Sequence, residues 1–296
     1  MSDDVISTDT LNYLGNTGLG KETILQLAKH NPSRIYMGAR TESKARDAIA
    51  SIQEQLSSPV DIRYIPLDLA SFKSIRAAAE KFTSECDRLD ILVLNAGTMA
   101  NPPTTTEEGY EVQFGTNHIG HFLLANLLLP TLQKTVASAS PPPDVRVVTL
   151  SSMGHNGAPS FDVMTSTPAL LETSTWTRYG ASKAANILFA SELARRYPEI
   201  LSVSIHPGVV SSDIYGHIKA SGAMMTHGVR LMTLFLRNVR TGALNQIWAA
   251  GAKRELLTNG AYYVPIGTRS DGNTYSNDVD LGRKLWEWTE AEIEKR

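Results

Sequence analysis

The sequence predicts an α/β protein built on a doubly wound parallel sheet with helices on both faces. From about residue 20 onward, short runs rich in Val, Ile and Leu alternate with longer amphipathic stretches. Polar motifs stand directly after several of those runs. Apolar runs separated by helices are typical of parallel strands, which are buried on both faces. The ligand crevice of such a sheet lies beyond the carboxyl ends of its strands.

The alternation predicts the individual elements. The predicted strands are Arg34–Ala39, Asp61–Pro66, Ile91–Leu94, Val145–Leu150, Ser202–Ile205 and Ala261–Val264. The predicted helices are Lys21–Lys29, Glu42–Leu56, Ser71–Thr83, Phe114–Leu132, Tyr179–Arg196, Thr241–Ala252 and Leu281–Glu294. We expect residues 15–296 to form a single domain, preceded by an atypical segment at 1–14 and interrupted by two long loops, 154–177 and 213–237.

Composition argues against several classes of protein. The chain has 296 residues, of which 42% are hydrophobic and 20% charged, and its net charge is -2. Without a long basic run, nucleic acid is not an expected partner. The single cysteine, Cys86, excludes an intrachain disulfide and favours a reducing compartment. No apolar stretch reaches the roughly 20 residues of a membrane span, and the histidines lack the spacing of a metal site, so we expect a cytoplasmic protein without a metal.

Tyr179 and Lys183 are the first candidates for chemistry. They stand four residues apart, which places them on one face of a helix. A nearby ammonium favours the charged form of a phenol, so it can bring a tyrosine pKa of about 10 towards neutrality. A general acid or base that exchanges a proton with an alcohol or ketone needs such a pKa. With ten tyrosines in the chain, one such pair could arise by chance, so its weight depends on the surrounding motifs.

Three of the surrounding motifs each follow a predicted strand. Asn95-Ala-Gly97, Ser152 and the run from Pro207 to Ser212 all begin where a strand ends, and so belong to the predicted crevice. With the other motifs, their order and spacing resemble the short-chain dehydrogenase/reductase family. The residues that carry the resemblance are Gly15-Asn-Thr-Gly18-Leu-Gly20, Asp68-Leu69, Asn95-Ala-Gly97, Asn117, Ser152, Tyr179-x-x-x-Lys183 and Pro207-Gly208.

Within that family the chain looks most like the retinol-dehydrogenase-like branch and its fungal relatives. The features behind this are the helix sequence 184–196, the long gap from Ser152 to Tyr179, and the tail Tyr262-Tyr-Val-Pro265. The resemblance implies a single Rossmann-type domain, monomeric or homodimeric, that interconverts a carbonyl and an alcohol. The expected substrate is a small, fairly apolar metabolite of fungal type, with a retinoid-like lipid aldehyde second. Met224, Met225 and their apolar neighbours would be either core or a mobile substrate lid.

The resemblance also implies roles for four residues. Tyr179 would be the general acid in reduction and the base in oxidation, and Lys183 would hold the nicotinamide ribose and lower the tyrosine pKa. Ser152, rather than Ser151, would donate a hydrogen bond to the substrate oxygen. Asn117 would hold a water molecule that relays protons from the lysine. The alternative is a catalytically impaired Rossmann-fold protein that acts as a binding or regulatory subunit.

NADP(H) is the predicted cofactor. An acidic residue after the second strand would bind the ribose hydroxyls of NAD, whereas this chain has Arg40 there and Lys44 one turn further on. A guanidinium binds phosphate through two hydrogen bonds. The alternative is a solvated arginine at the start of a helix. The other predicted cofactor contacts are Gly15, Gly18, Leu19, Gly20, Asp68, Asn95, Gly97, Tyr179, Lys183, Val210 and Ser212. The alternative for Asp68 is a helix cap.

The N-terminus departs from the family pattern. Aligning Gly18 and Gly20 with the last two glycines of the family's motif puts Leu14 on its first glycine, where a side chain disfavours the tight turn. Residues 7–14 also lack the apolar run of a central strand. The first strand is therefore predicted to be degenerate or missing. Three explanations stay open: a wrongly assigned start or splice site upstream of Asn16, a weakened cofactor site, and lost catalysis.

Overall fold

The computed structural model describes residues 10–14, 16–139, 143–208, 238–273, 275 and 278–296. The strands of the described residues are β1 (Thr10–Leu14), β2 (Arg34–Ala39), β3 (Ile62–Pro66), β4 (Ile91–Leu94), β5 (Arg146–Leu150), β6 (Leu201–Ile205), β7 (Tyr262–Val264) and β8 (Thr268–Ser270). They form one sheet in the order β3-β2-β1-β4-β5-β6-β7-β8. Neighbouring strands are parallel from β3 to β7, and β8 runs antiparallel to β7.

Among the residues that the structure describes, seven longer helices connect or flank these strands. They are α1 (Gly18–Ala28), α2 (Glu42–Gln53), α3 (Phe72–Glu85), α4 (Gly120–Val136), α5 (Thr175–Arg196), α6 (Val239–Gly251) and α7 (Val279–Glu294). A helical turn at Val112–Phe114 and a π-helical turn at Gly115–Ile119 run directly into α4. Within the residues that the structure describes, no helix is both long and apolar enough to cross a membrane.

The sheet separates two hydrophobic clusters. Side chains alternate between the faces of a strand, so Leu92 and Val147 pack against α3, α4, α5 and α7, whereas Val93 and Val148 pack against α1, α2 and α6. β5 and β6 are buried along their whole length, as strands covered on both faces must be. The predicted doubly wound α/β sheet is thereby confirmed.

The first strand corrects one part of the sequence prediction. β1 is present, and its backbone pairs in parallel register with β2 on one side and β4 on the other. The alternative that this strand is missing is therefore wrong. The sequence misled because Thr10 and Asn12 interrupt the apolar pattern. The neighbouring strand edges each offer unpaired N–H and C=O groups, and pairing satisfies them whatever side chains the central strand carries.

Two further elements differ from the prediction. Residues 154–177 were expected to form a loop, yet they include most of a 3-10 turn at Met153–Gly157, short helices at Phe161–Met164 and Thr167–Leu171, and the start of α5. Serine caps account for two of these helices, since Ser166 and Ser174 accept hydrogen bonds from backbone N–H groups three residues on. Strand β8, three residues long and exposed at two of them, was not predicted. The predicted loop 213–237 lies outside the described residues.

Gly120 allows a close approach that fixes α4 against the segment after β3. A Cβ placed on Gly120 would overlap the carbonyl oxygen of Leu69 and lie 3.1 Å from the Leu69 Cβ. We expect Gly120→Ala to lower the free energy of unfolding by about 1–3 kcal/mol, the usual cost of overpacking, as measured by urea denaturation. Gly157→Ala is the matched control, because a Cβ on Gly157 meets no atom within 4 Å. Equal stability of the two variants would contradict this packing argument.

Candidate active site

A cleft of about 470 Å³ lies beyond the carboxyl ends of the parallel strands. Its walls come from the start of α1, the ends of β2 and β5, and the segments after β3, β4 and β6, with α5 closing one end. This is the place where a doubly wound sheet binds its ligand. The sequence-predicted residues that line the cleft are Gly18, Leu19, Arg40, Asp68, Asn95, Gly97, Tyr179 and Lys183.

The N-terminus of α1 forms one end of the cleft. Thr17 precedes the helix in an extended conformation, and its side chain accepts no hydrogen bond from the first backbone N–H groups of α1. Gly18 has φ 53°, in the left-handed region that glycine enters without steric cost. Backbone N–H groups and the helix dipole at such a terminus suit a phosphate group. Gly20, by contrast, is buried and does not line the cleft.

The Tyr179–Lys183 pair lies on α5 at the other end of the cleft. The Lys183 Nζ is 5.6 Å from the centroid of the Tyr179 ring, and it donates a hydrogen bond of 3.1 Å to the carbonyl oxygen of Leu150. Burial lowers the pKa of Lys183 to about 8, because the charged ammonium loses hydration there. The helix thus presents a phenol and a nearly buried amine to the same cleft.

Asn117 lies in the π-helical turn and holds the end of β4 against α5. Its amide donates to the Thr98 carbonyl oxygen at 2.9 Å and to Ser182 Oγ at 3.0 Å, and it accepts from the Thr98 N–H at 2.7 Å. π-helical turns are frequent at functional sites. The main-chain carbonyl oxygen of Asn117 accepts a hydrogen bond of 2.9 Å from the ring nitrogen Nδ1 of His121. The relay water that the resemblance implies for Asn117 stays a prediction.

The serine pair after β5 divides into two different roles. Ser151 is buried and its hydroxyl donates to the main-chain oxygen of Lys183 at 2.7 Å, which joins β5 to α5. Ser152 Oγ accepts a hydrogen bond from the Gly154 N–H at 3.1 Å. A Cβ on Gly154 would lie 2.9 Å from the Tyr179 ring and 3.5 Å from Ser152 Oγ. The Ser152 hydroxyl and the Tyr179 ring therefore border the same small space, although Ser152 is not among the residues that line the cleft.

Gly97 keeps the middle of the cleft open. A Cβ on this residue would stand 3.0 Å from Asn117 Oδ1 and 3.6 Å from Lys183 Nζ. The absent side chain leaves room for a ligand beside the lysine. Together with the phosphate-binding geometry at α1, this space fits an extended dinucleotide that runs from α1 to α5.

Arg40 and Lys44 occupy different positions. Arg40 is exposed at the end of β2 and lines the cleft. Lys44 is exposed on α2 and does not line it. Asp68 also lines the cleft, and its Oδ1 accepts from the Ala70 N–H at 3.0 Å. The helix cap that the sequence offered as an alternative for Asp68 belongs to Ser71, which accepts from the Ser74 N–H.

Some site residues lie outside the described residues, and others were not predicted. Gly15, Val210 and Ser212 belong to the first group. Ser182 and Asn186 belong to the second: Ser182 receives the Asn117 amide, and Asn186 donates to the Leu150 carbonyl oxygen at 2.9 Å. Because Ser182 stands inside the Tyr-x-x-x-Lys motif, the sequence did carry a signal that could have identified it as a site residue.

Comparisons with known proteins agree on one family. The model of the short chain dehydrogenase family matches residues 13–163. A short-chain dehydrogenase/reductase of Armillaria gallica is 38% identical over 282 residues, covering 94% of this chain and 87% of the relative. Human retinol dehydrogenase 13 is 34% identical over 277 residues, covering 92% and 80%. The NADP active-site complex of Pseudomonas aeruginosa RhlG superposes with a TM-score of 0.68 at 23% identity, covering 90% and 98%.

Proposed function

The chain belongs to the short-chain dehydrogenase family, and on that premise we propose that it interconverts a carbonyl and an alcohol with NADP(H) on a small, fairly apolar metabolite. One observation carries the proposal. A single cleft joins Arg40 and the N-terminus of α1 to the Tyr179–Lys183 pair, so one bound dinucleotide could reach from its phosphates to the reacting group.

The roles of the side chains follow from their placement. Tyr179 gives its phenolic proton to the oxygen of the reduced carbonyl, or takes a proton from an alcohol in the reverse direction. Lys183, at 5.6 Å from the Tyr179 ring centroid, favours the phenolate by its charge. The Ser152 hydroxyl donates a hydrogen bond to the substrate oxygen, and its oxygen accepts a hydrogen bond from the Gly154 N–H. When bound, the nicotinamide supplies or accepts the hydride.

The pairing of β1 and the placement of Tyr179 beside Lys183 favour an enzyme over a non-catalytic binding subunit. The subunit alternative rested on Leu14 and the polar N-terminal segment, and β1 is nevertheless paired on both sides. A binding protein has no use for a phenol beside a buried amine. The relatives include a fungal short-chain dehydrogenase/reductase and a retinol dehydrogenase, so the proposed substrates are a metabolite carbonyl of fungal type first and a retinoid-like aldehyde second.

Turnover is the direct test of this function. The purified chain is incubated with NADPH and a panel of apolar ketones and aldehydes, and the loss of NADPH absorbance is followed together with product formation. Alcohol products that appear in proportion to the NADPH consumed support the proposal. A folded chain that binds NADPH and reduces none of the panel, and oxidises none of the matching alcohols with NADP, favours the binding subunit.

Cofactor choice is proposed to depend on Arg40. Its guanidinium is exposed at the cleft, where it can pair with a 2′-phosphate. We expect Arg40→Ala to weaken NADPH binding about 10- to 100-fold, as for loss of a charge-assisted hydrogen bond, with NADH binding nearly unchanged. A fluorescence titration of both cofactors measures this.

Arg46→Ala is the matched control for Arg40→Ala. Arg46 is an exposed arginine on α2 that pairs with Glu42, and it does not line the cleft. The control should leave both affinities within about twofold, the effect of a surface ion pair. If Arg40→Ala weakened NADH and NADPH equally, the 2′-phosphate would not be its partner.

A further inference from the structure

His155 contacts the segment that carries the serine of the active site. Ser152 precedes the 3-10 turn Met153–Gly157 in an extended conformation. Its carbonyl oxygen accepts two hydrogen bonds from the same residue: the His155 backbone N–H at 3.1 Å and the His155 ring Nδ1 at 2.7 Å. Both donors therefore fix the direction of the Ser152 carbonyl.

The partner of Nδ1 determines where the imidazole carries its proton. A carbonyl oxygen only accepts hydrogen bonds, so Nδ1 must be protonated. Burial lowers the pKa of His155 below its ordinary value, because the charged imidazolium would lose hydration. The ring is therefore neutral, with its hydrogen on Nδ1 and a lone pair on Nε2.

Among the described residues, the rest of the ring makes packing contacts only. His155 is 2% exposed, and its Nε2 has no hydrogen-bond partner among the described residues. The ring packs edge to face on Tyr262, with centroids 5.2 Å apart. A buried acceptor without a partner costs free energy. An apolar side chain would avoid that cost, so the Nδ1 bond to Ser152 is the contribution that distinguishes histidine here.

The same turn sets the distance between Ser152 and Tyr179. Gly154 lies so close to α5 that a Cβ on it would be 2.9 Å from the Tyr179 ring. On the helix side, a Cβ on Gly180 would be 2.8 Å from the Gly154 carbonyl oxygen. This turn is therefore packed against α5, where the Gly154 N–H contacts Ser152 Oγ and the two hydrogen bonds from His155 restrain rotation of the Ser152 peptide group.

We infer that His155 is a positioning residue, whose Nδ1–H holds the Ser152 peptide so that the serine hydroxyl faces the substrate oxygen beside Tyr179. The inference rests on the proposed carbonyl–alcohol chemistry for its effect on turnover. The contact itself, and the tautomer it requires, do not depend on that chemistry.

Two substitutions at His155 separate the roles of the two ring nitrogens. In His155→Asn the side-chain amide stands near the position of Nδ1 and keeps the donor to Ser152. In His155→Gln the amide stands near the position of Nε2 and loses that bond. We expect the Gln variant to lower kcat about tenfold, as for the loss of one orienting hydrogen bond. The Asn variant should stay within about threefold of the parent, and both should keep the parent's KM for NADPH.

A double substitution tests whether His155 acts through Ser152. In a Ser152→Ala background, His155→Gln should lower kcat by less than about twofold, because residues that act as a unit are not additive. A tenfold effect in that background, or equal loss in the Asn and Gln variants, overturns the inference. A purely structural role predicts such equal loss together with a lower Tm in both variants.

The tautomer is measured on the parent protein without any turnover. Long-range ¹H–¹⁵N correlation spectra of the histidine rings are recorded, and the His155 signals are identified by their absence from His155→Gln. A neutral ring with hydrogen on Nδ1 supports the inference, and hydrogen on Nε2 overturns it. If no carbonyl is reduced by the parent, the proposed function fails while this spectrum still decides the contact.

Discussion

Tyr179→Phe is expected to abolish carbonyl reduction while leaving NADPH affinity within about twofold of the parent. The phenolic hydroxyl is the group that we propose transfers the proton, and loss of a general acid or base costs about 10²- to 10⁴-fold in rate. The ring itself packs against Gly154 and lies 5.6 Å from Lys183 Nζ, and phenylalanine retains both contacts. Stopped-flow reduction at saturating NADPH, with a separate fluorescence titration of the cofactor, measures the two effects.

Tyr197→Phe serves as the control for this substitution. Tyr197 is the C-cap residue that directly follows the same helix, and it does not line the cleft. The control should keep parental kcat and KM. Turnover in Tyr179→Phe at more than a tenth of the parental rate would remove Tyr179 from the proton-transfer step and require another acid at the cleft.

Much of the fold was predictable because its strands are buried on both faces. β2 and β4 are near-continuous apolar runs, β5 and β6 are buried at every residue, and the predicted bounds of all four agree with the structure to within one residue. β1 was not predicted in this way, because Thr10 and Asn12 interrupt its apolar pattern, and the backbone pairing with β2 and β4 that the structure shows leaves no such signal in the sequence. The two short helices between Met153 and Thr175 are too brief to show a helical period in the sequence, and a serine side chain caps only Thr167–Leu171.

The site was predictable where a motif fixes both residue type and position. Tyr179, Lys183, Arg40 and Gly97 stand at strand ends or on one helical face, and all four line the cleft. The contacts of Asn117 with Thr98 and Ser182 could not be predicted from the sequence, because they depend on a π-helical turn that brings distant segments together. The same holds for His155. Its hydrogen-bond partner Ser152 lies only three residues away, but its ring packs on Tyr262 of β7, which is distant in sequence.

Lys183→Met is expected to separate stability from function. The Lys183 side chain is buried, and its pKa falls from 10.5 to about 8 because burial disfavours the ammonium. One pKa unit corresponds to about 1.4 kcal/mol, so the charged form costs the folded state about 3 kcal/mol. Methionine removes the charge and fills a similar volume. The Leu150 carbonyl oxygen loses the Nζ donor but keeps the Asn186 amide at 2.9 Å, so no buried acceptor is left without a partner.

The sign of the effect depends on pH. Below pH 8 the amine is protonated in both states, so the folded parent carries the full cost and Lys183→Met should be more stable by about 1–3 kcal/mol. Between pH 8 and 10.5 the unfolded chain binds more protons than the folded one, so the parent gains stability and the difference shrinks. Urea denaturation at pH 7, 8.5 and 10 measures this. Lys134→Met, at an exposed lysine paired with Asp87, should change stability little at any of these values.

Saturating NADPH should make the parent more stable than Lys183→Met, the reverse of the order expected without cofactor. A ligand that binds only the folded state stabilises it in proportion to the logarithm of its concentration relative to Kd. The parent keeps the amine that faces the open space at Gly97, whereas Lys183→Met loses that contact and, with it, turnover. We therefore expect the variant to melt higher than the parent without cofactor and lower with saturating NADPH. A variant that is less stable at pH 7 without cofactor would show that the buried amine contributes packing or hydrogen bonding worth more than its lost hydration.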